Sequence, residues 1–161
     1  MMVQPLAKTK TKRRRAKQVP ASVMKIVQER SGGICEYCGQ NKATDAHHIK
    51  FKSQGGLDIA INILHVCRVC HQHSNIDFLH KAKEILRDRI NNCFDDYMFY
   101  SPGSIAWKLN MEHEEVIKQT RKGFLKTSHP LIPCMASKDD IKRWWGCMND
   151  KNNYTVSASK S

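Results

Sequence analysis

Behind Pro20, the stretch "ASVMKIVQER" places Val23, Ile26 and Val27 at i, i+3 and i+4, until "SGG" breaks the pattern. This spacing predicts a short helix. Helical spacing then gives way to two short strand-like pieces, "DAHHIKF" and "INILHV", separated by the turn sequence "SQGG" at 53–56. Over 76–100 the pattern becomes helical again, with Leu79, Ala82, Ile85, Leu86 and Ile90 on one face. That predicts a single amphipathic helix, or one with a break near Asn91–Asn92. "SPGS" at 101–104 opens a new unit: a short helix carrying Ile105, Ala106 and Leu109, a turn around Asn110–Met111, and a second helix with Val116 and Ile117 that ends near Gly123. From Pro130 onward the chain reads as a tail. Its paired Trp144–Trp145 would cap a C-terminal core or form a partner surface, the core being favoured, and its last ten residues are polar and read as unstructured.

The pattern therefore divides the chain into an arm (1–19), a Cys- and His-rich unit (20–75), a connecting helix (76–100), a helical pair (101–130) and a tail (131–161). A chain of 161 residues is long enough for one ordinary domain or two small ones, but too short for a large core. With seven Cys, eight His, no signal peptide and no apolar run of membrane-spanning length, the thiols are expected to be reduced, several of them holding metal. The expected location is intracellular, with no membrane partner.

Charge narrows the choice of partner. Lys and Arg number 27 against 15 Asp and Glu, a formal charge of +12, and a polyanion is the commonest partner that relieves such self-repulsion. Over half of that surplus sits on the arm, where Lys8, Lys10, Lys12, Arg13, Arg14, Arg15 and Lys17 stand without a single acid. An arm so poor in apolar residues is expected to be disordered when free. It would lie along nucleic acid and release counterions, although a solubilising tail or a localisation signal has the same composition.

Cys35 and Cys38 form one C-x2-C pair and Cys67 and Cys70 a second, with 28 residues between them. Two such knuckles bring four thiolates into a tetrahedron, the signature of a structural Zn2+. A thioredoxin-like redox pair would not call for the second knuckle. Four sulfurs leave zinc no open position, so this ion should hold the fold and carry no chemistry. Cys93, Cys134 and Cys147 have no partner at metal spacing.

The histidines need a separate account. His47 and His48 are neighbours between the knuckles; Asn62 follows fourteen residues after His48, and His71 abuts Cys70. Adjacent strand residues face opposite ways, so one of the two histidines can ligate while the other is free to take a proton. Each residue also has a plainer reading: Asn62 as a turn residue, His47 as a partner of the zinc site, His71 as a stand-in for a thiolate. His65, His73 and His80 read as ordinary surface or core histidines, with His73 a reserve ligand.

The pattern "DAHHI…SQGG…NILHVCRVCH", with its lead-in "VPASVMKIVQERSGGICEYCG", closely resembles the HNH endonuclease family over roughly residues 20–75. The resemblance implies an α+β fold: a small ββα-metal core with a four-cysteine zinc site, followed here by a mainly helical C-terminal region. It also implies a division of roles. His47 and His71 would bind the catalytic divalent ion, Mg2+ or Mn2+ with Ni2+ or Zn2+ as alternatives. His48 would be the general base, and Asn62 would hold the loop that carries it. Family members with a fuller shell have another His four residues after His71, where this chain has Asn75. The third protein ligand is then Asn75, His73 or none, with waters and phosphate oxygens completing the shell.

Residues 102–123 resemble a helix-turn-helix, with Ala106 at the helix crossing and Ile105, Leu109, Met111 and Val116 facing inward. Its second helix, about Glu112 to Lys122, would turn Lys118, Gln119, Arg121 and Lys122 towards DNA. Glu112, Glu114 and Glu115 speak against that, and a plain helical hairpin packed on the nuclease unit has the same periodicity. A catalytic unit joined to a helix-turn-helix is the layout of phage homing endonucleases, and of some restriction or packaging nucleases. The reading is a metal-dependent endonuclease acting on double-stranded DNA, placed in the cytoplasm of a bacterial host if phage-encoded. The alternative is a non-catalytic zinc-ribbon DNA-binding regulator; an RNA-binding factor is a third, weaker one, with only Tyr37 and Phe51 as candidate stacking platforms near the site.

Overall fold

The computed structural model describes residues 18–148, so Lys12, Arg13, Arg14 and Arg15 of the basic arm lie outside the described residues. Helix α1 (Ala21–Ser31) begins after Pro20 and stops at Gly32, whose φ of 58° is left-handed. The first knuckle follows. Strand β1 (Asp45–His48) then pairs antiparallel with β2 (Ile63–Val66), with His47 opposite Leu64 and His48 opposite Ile63. Helix α2 (Arg68–Gln72) starts inside the second knuckle, where the Cys67 sulfur caps it by accepting from the Cys70 N–H.

Helix α3 (Ile76–Cys93) is capped by the Asn75 side chain and buries Phe78, Ala82, Leu86 and Ile90. It ends at Cys93, beside the alternative break near Asn91–Asn92, rather than running to Tyr100. Phe94 turns into the core, and β3 (Phe99–Tyr100) pairs antiparallel with β4 (Ala136–Ser137). Helices α4 (Pro102–Leu109) and α5 (His113–Arg121) form the expected pair, joined through Asn110, which takes the left-handed φ of 49° at the α4 terminus. The tail contains a further helix, α6 (Lys138–Trp145), held by a Ser137–Asp140 capping box.

Trp144 and Trp145 are both buried, in a core rather than on a partner surface, and one contiguous apolar cluster runs from Ile49 and Leu64 through Phe78 and Leu86 to Ile105, Ile141 and the two tryptophans. The ββα unit and the C-terminal helices thus share a core. Lys50 reinforces the junction: its ammonium donates to the Trp144 carbonyl at the end of α6 and lies over the Phe124 and Trp145 rings.

A polar knot fixes β2 from its outer edge. The Glu36 carboxylate accepts from Arg30 Nε at 2.8 Å, Arg89 Nη2 at 2.7 Å and the His65 N–H at 2.7 Å. The same two guanidinium groups donate to the carbonyls of Ala60, Ile61 and Ile63. Two cations on one carboxylate leave few unpaired donors near the strand. Burial pushes the Glu36 carboxyl up, but the Arg30 hydrogen bond and the Arg89 charge outweigh it and hold the group below its usual value.

Candidate functional site

The four knuckle cysteines converge: their sulfurs all lie within 4.8 Å of one another. Zinc–sulfur bonds of about 2.3 Å in a tetrahedron set the sulfurs about 3.8 Å apart, so the cluster fits a structural zinc ion. Backbone amides at Asn41 and Gln40 lower the Cys38 thiol to about 6, and the Cys70 amide lowers Cys67, while burial raises Cys70. Donors aimed at sulfur favour the thiolate that a metal requires. The cluster ties the segment before β1 to the start of α2.

The β1 histidines separate as the alternation of a strand requires. His47 is buried, in edge contact with Phe78 at 4.9 Å and His71 at 5.4 Å between ring centroids, and its Nε2 has no hydrogen-bond partner among the described residues. Burial, followed by the neighbouring His71 and His48 charges, lowers its pKa to about 4. A neutral imidazole with an orphaned buried nitrogen suits a cation ligand. His71 faces it from α2, with Nδ1 2.9 Å from Asp45 Oδ2. The carboxylate accepts, so Nδ1 carries the hydrogen and Nε2 keeps its lone pair. Asp45 stands two residues before His47, on the same face of β1.

His48, on the opposite face, is partly exposed, and its Nε2 lies 2.7 Å from Asp58 Oδ1. The other Asp58 oxygen is 2.8 Å from the Lys52 ammonium. Burial raises the Asp58 carboxyl, yet the Lys52 and His48 hydrogen bonds prevail and keep it below the usual carboxylate value.

Asn62 is wholly buried, and its side-chain hydrogen bonds go into the loop between the strands. Its Oδ1 accepts from Lys50 N–H at 2.8 Å, and its Nδ2 donates to the Lys50 and Leu57 carbonyls at 3.0 Å each. Its backbone accepts from Ile49 N–H and donates to the Ile59 carbonyl. The loop closes so tightly that a Cβ on Gly56 would come within 1.9 Å of the Lys50 carbonyl oxygen, which reserves that position for glycine.

Of the two reserve ligands, Asn75 is otherwise engaged. Asn75 Oδ1 caps α3 by accepting from Phe78 N–H at 2.9 Å, and the exposed His73 returns Nδ1 to the Val69 carbonyl at 2.9 Å. His65, read as unremarkable, is buried and paired through Nδ1 with the Ser31 hydroxyl at 2.7 Å.

The α5 residues are not gathered at this site. Gln119 faces inward rather than towards solvent, its amide donating to Glu115 at 2.6 Å, because it falls on the packed face one turn after Val116. Lys118 pairs with Glu115 and Arg121 with Glu114, while Lys122 stands at the α5 terminus. Asp45 and Asp58 escaped the sequence reading. An i, i+2 relation on β1 marks Asp45, whereas Asp58 reaches His48 only because the loop folds back on Asn62.

No helix among the described residues is long and apolar enough to cross a membrane. No curated protein matches the chain. Residues 35–77, from the first knuckle through His47, His48, Asn62 and His71 to the start of α3, match the family described as HNH endonuclease.

Proposed function

We propose that the protein is a metal-dependent endonuclease that hydrolyses phosphodiester bonds of double-stranded DNA, with His48 as general base. The observation that carries this reading is the division of the two β1 histidines. One presents an orphaned buried nitrogen beside His71, and the other stands on the open side, bonded to a carboxylate. A zinc-ribbon regulator has no use for that division, nor for an asparagine wholly spent on shaping the intervening loop.

His47 Nε2 and His71 Nε2 would hold Mg2+ or Mn2+, with Ni2+ or Zn2+ as alternatives, and such an ion supplies positive charge to the scissile phosphate and the leaving oxygen. The Asp45 carboxylate keeps the hydrogen on His71 Nδ1 and so aims the lone pair of the other nitrogen. With Asn75 committed to capping α3, His73, or water and phosphate oxygens alone, would complete the shell. His48 takes a proton from water, and the hydroxide formed attacks phosphorus. The family resemblance gives the products as a 5′-phosphate and a 3′-hydroxyl. Asn62 keeps the His48 loop in place.

DNA binding falls to the basic arm with Lys12, Arg13, Arg14 and Arg15, aided by Arg121 and Lys122 on the helical pair. Lys118 stands on the same helix and, like Arg121, is paired to a glutamate. The inward Gln119 and the acids of α5 favour a hairpin packed on the nuclease core over a base-reading helix-turn-helix. A homing role in phage, with the bacterial cytoplasm as the site of action, or a restriction or packaging role, draws on a helix-turn-helix beside the nuclease core, and the hairpin weakens all three.

Supercoiled plasmid incubated with the zinc-loaded protein, with Mg2+ or Mn2+ and with chelator, tests the reading. Metal-dependent nicking or linearisation is expected. Salt-dependent binding without cleavage under any ion would favour the regulator.

A further inference from the structure

Strand alternation brings His48 to the open side, but it does not decide which ring nitrogen meets the substrate. An imidazole base must offer a lone pair, and a neutral ring has one on only one nitrogen. Here the partner decides. His48 Nε2 is 2.7 Å from Asp58 Oδ1, and an ionised carboxylate only accepts, so the hydrogen belongs on Nε2 and the lone pair on Nδ1.

The Asp58 carboxylate is itself held in place. Its second oxygen is pinned by the Lys52 ammonium at 2.8 Å. Its chain neighbours on both sides are tied to Asn62: the Leu57 carbonyl accepts from Asn62 Nδ2 at 3.0 Å, and the Ile59 carbonyl from Asn62 N–H at 3.0 Å. On the other side of the loop, the two residues after His48 are tied to that same asparagine, through Ile49 N–H at 2.9 Å and Lys50 N–H at 2.8 Å. One buried residue therefore fixes the spacing between base and carboxylate.

We infer that Asp58 is the positioning residue of the base: it locks His48 in the Nε2–H tautomer and presents Nδ1 to the attacking water. The inference rests on the nuclease reading above. In the step it serves, the water O–H bond breaks and its proton goes to Nδ1. The oxygen forms the new bond to phosphorus, and the bond from phosphorus to the 3′-oxygen breaks with its electron pair on the leaving oxygen, which takes a proton from solvent. The imidazolium, its charge facing Asp58, then returns its proton to bulk water, and no further reactant is needed.

The test joins a spectroscopic readout to a kinetic one. In zinc-loaded full-length protein with 15N-labelled histidines, at mildly alkaline pH where imidazoles are neutral, long-range proton–nitrogen spectra report each tautomer. The His48 signals are identified by their disappearance in His48→Ala. The wild type should show the Nε2–H form. In Asp58→Asn the side-chain amide can turn its NH2 to Nε2 and favour the other tautomer, as asparagine does in other His–Asp pairs. That variant should lose about 100-fold or more in kcat on supercoiled plasmid with Mg2+ while KM is little changed. Asp58→Glu should restore part of the rate and the original tautomer. A wild-type His48 carrying its hydrogen on Nδ1 would overturn the inference, as would an Asp58→Asn protein with unchanged kcat or unchanged tautomer. If no variant nor the wild type cuts DNA, the nuclease reading fails separately, and the spectra still decide whether Asp58 sets the tautomer.

Discussion

Replacing Asn62 by alanine should open the loop that carries His48, and the size of the effect can be worked from its bonds. The substitution removes three side-chain hydrogen bonds, at 2.8, 3.0 and 3.0 Å. At a net contribution of about 1 kcal/mol each, the loss is about 3 kcal/mol. Because Asn62 is wholly buried, the Lys50 N–H and the Lys50 and Leu57 carbonyls are stranded unless the loop shifts to admit water, so this is a lower bound. Asn62→Asp should cost still more at neutral pH. It keeps the acceptor for Lys50 N–H but turns a charged oxygen towards two carbonyls that Nδ2 now serves. Against a total stability of about 5–15 kcal/mol for a domain, either change is large. Urea unfolding of zinc-loaded protein gives the energies, and hydrogen exchange at the Lys50 amide reports the loop directly. An Asn62→Ala protein within about 0.5 kcal/mol of the wild type, the range of an inconsequential surface change, with Lys50 still protected, would refute this account of the residue.

The zinc site predicts one tightly held zinc per chain. Cys38→Ser, or strong chelation, should release it and unfold the segment from the first knuckle to α2, seen as lost far-ultraviolet dichroism and measured zinc content; a chain that stays folded without zinc would contradict the assignment. Asp45→Asn should weaken Mn2+ binding by about 10–100-fold in calorimetric titration, with little change in unfolding free energy; unchanged affinity would mean that the His71–Asp45 bond does not serve a metal ligand. Glu36→Gln leaves the guanidinium groups of Arg30 and Arg89 without their shared counter-charge, and, the knot being only partly buried, should cost about 1.5–3 kcal/mol in urea unfolding. A cost under about 1 kcal/mol would place the knot among ordinary surface pairs.

Much of the site could be read along the chain because its chemistry is local. C-x2-C spacing brings two sulfurs to one ion, and strand alternation separates His47 from His48, as observed. The role of Asn62 in shaping its loop was also legible, through the resemblance. What escaped depends on contacts between distant residues. Arg89 meets Glu36 across 53 positions and Asp58 meets His48 across ten. Strands β3 and β4 have two residues each, too few for any alternation to show. Helix α6 is different, since its signal is local: Ser137 and Asp140 form a capping box, and Gly146 follows the last helical residue. The reversal of Gln119 has a related cause. One turn after the buried Val116, it shares the packed face of α5, and polarity alone misplaced it.

The central claim is that His48 does the chemistry while the zinc and the loop merely hold it in place. Cleavage of supercoiled plasmid with Mg2+ or Mn2+ by wild type and His48→Ala, at matched zinc content and matched DNA binding, tests it most directly. The account predicts nicked or linear product from the wild type and none above background from the variant. Cleavage by His48→Ala at the wild-type rate would contradict it.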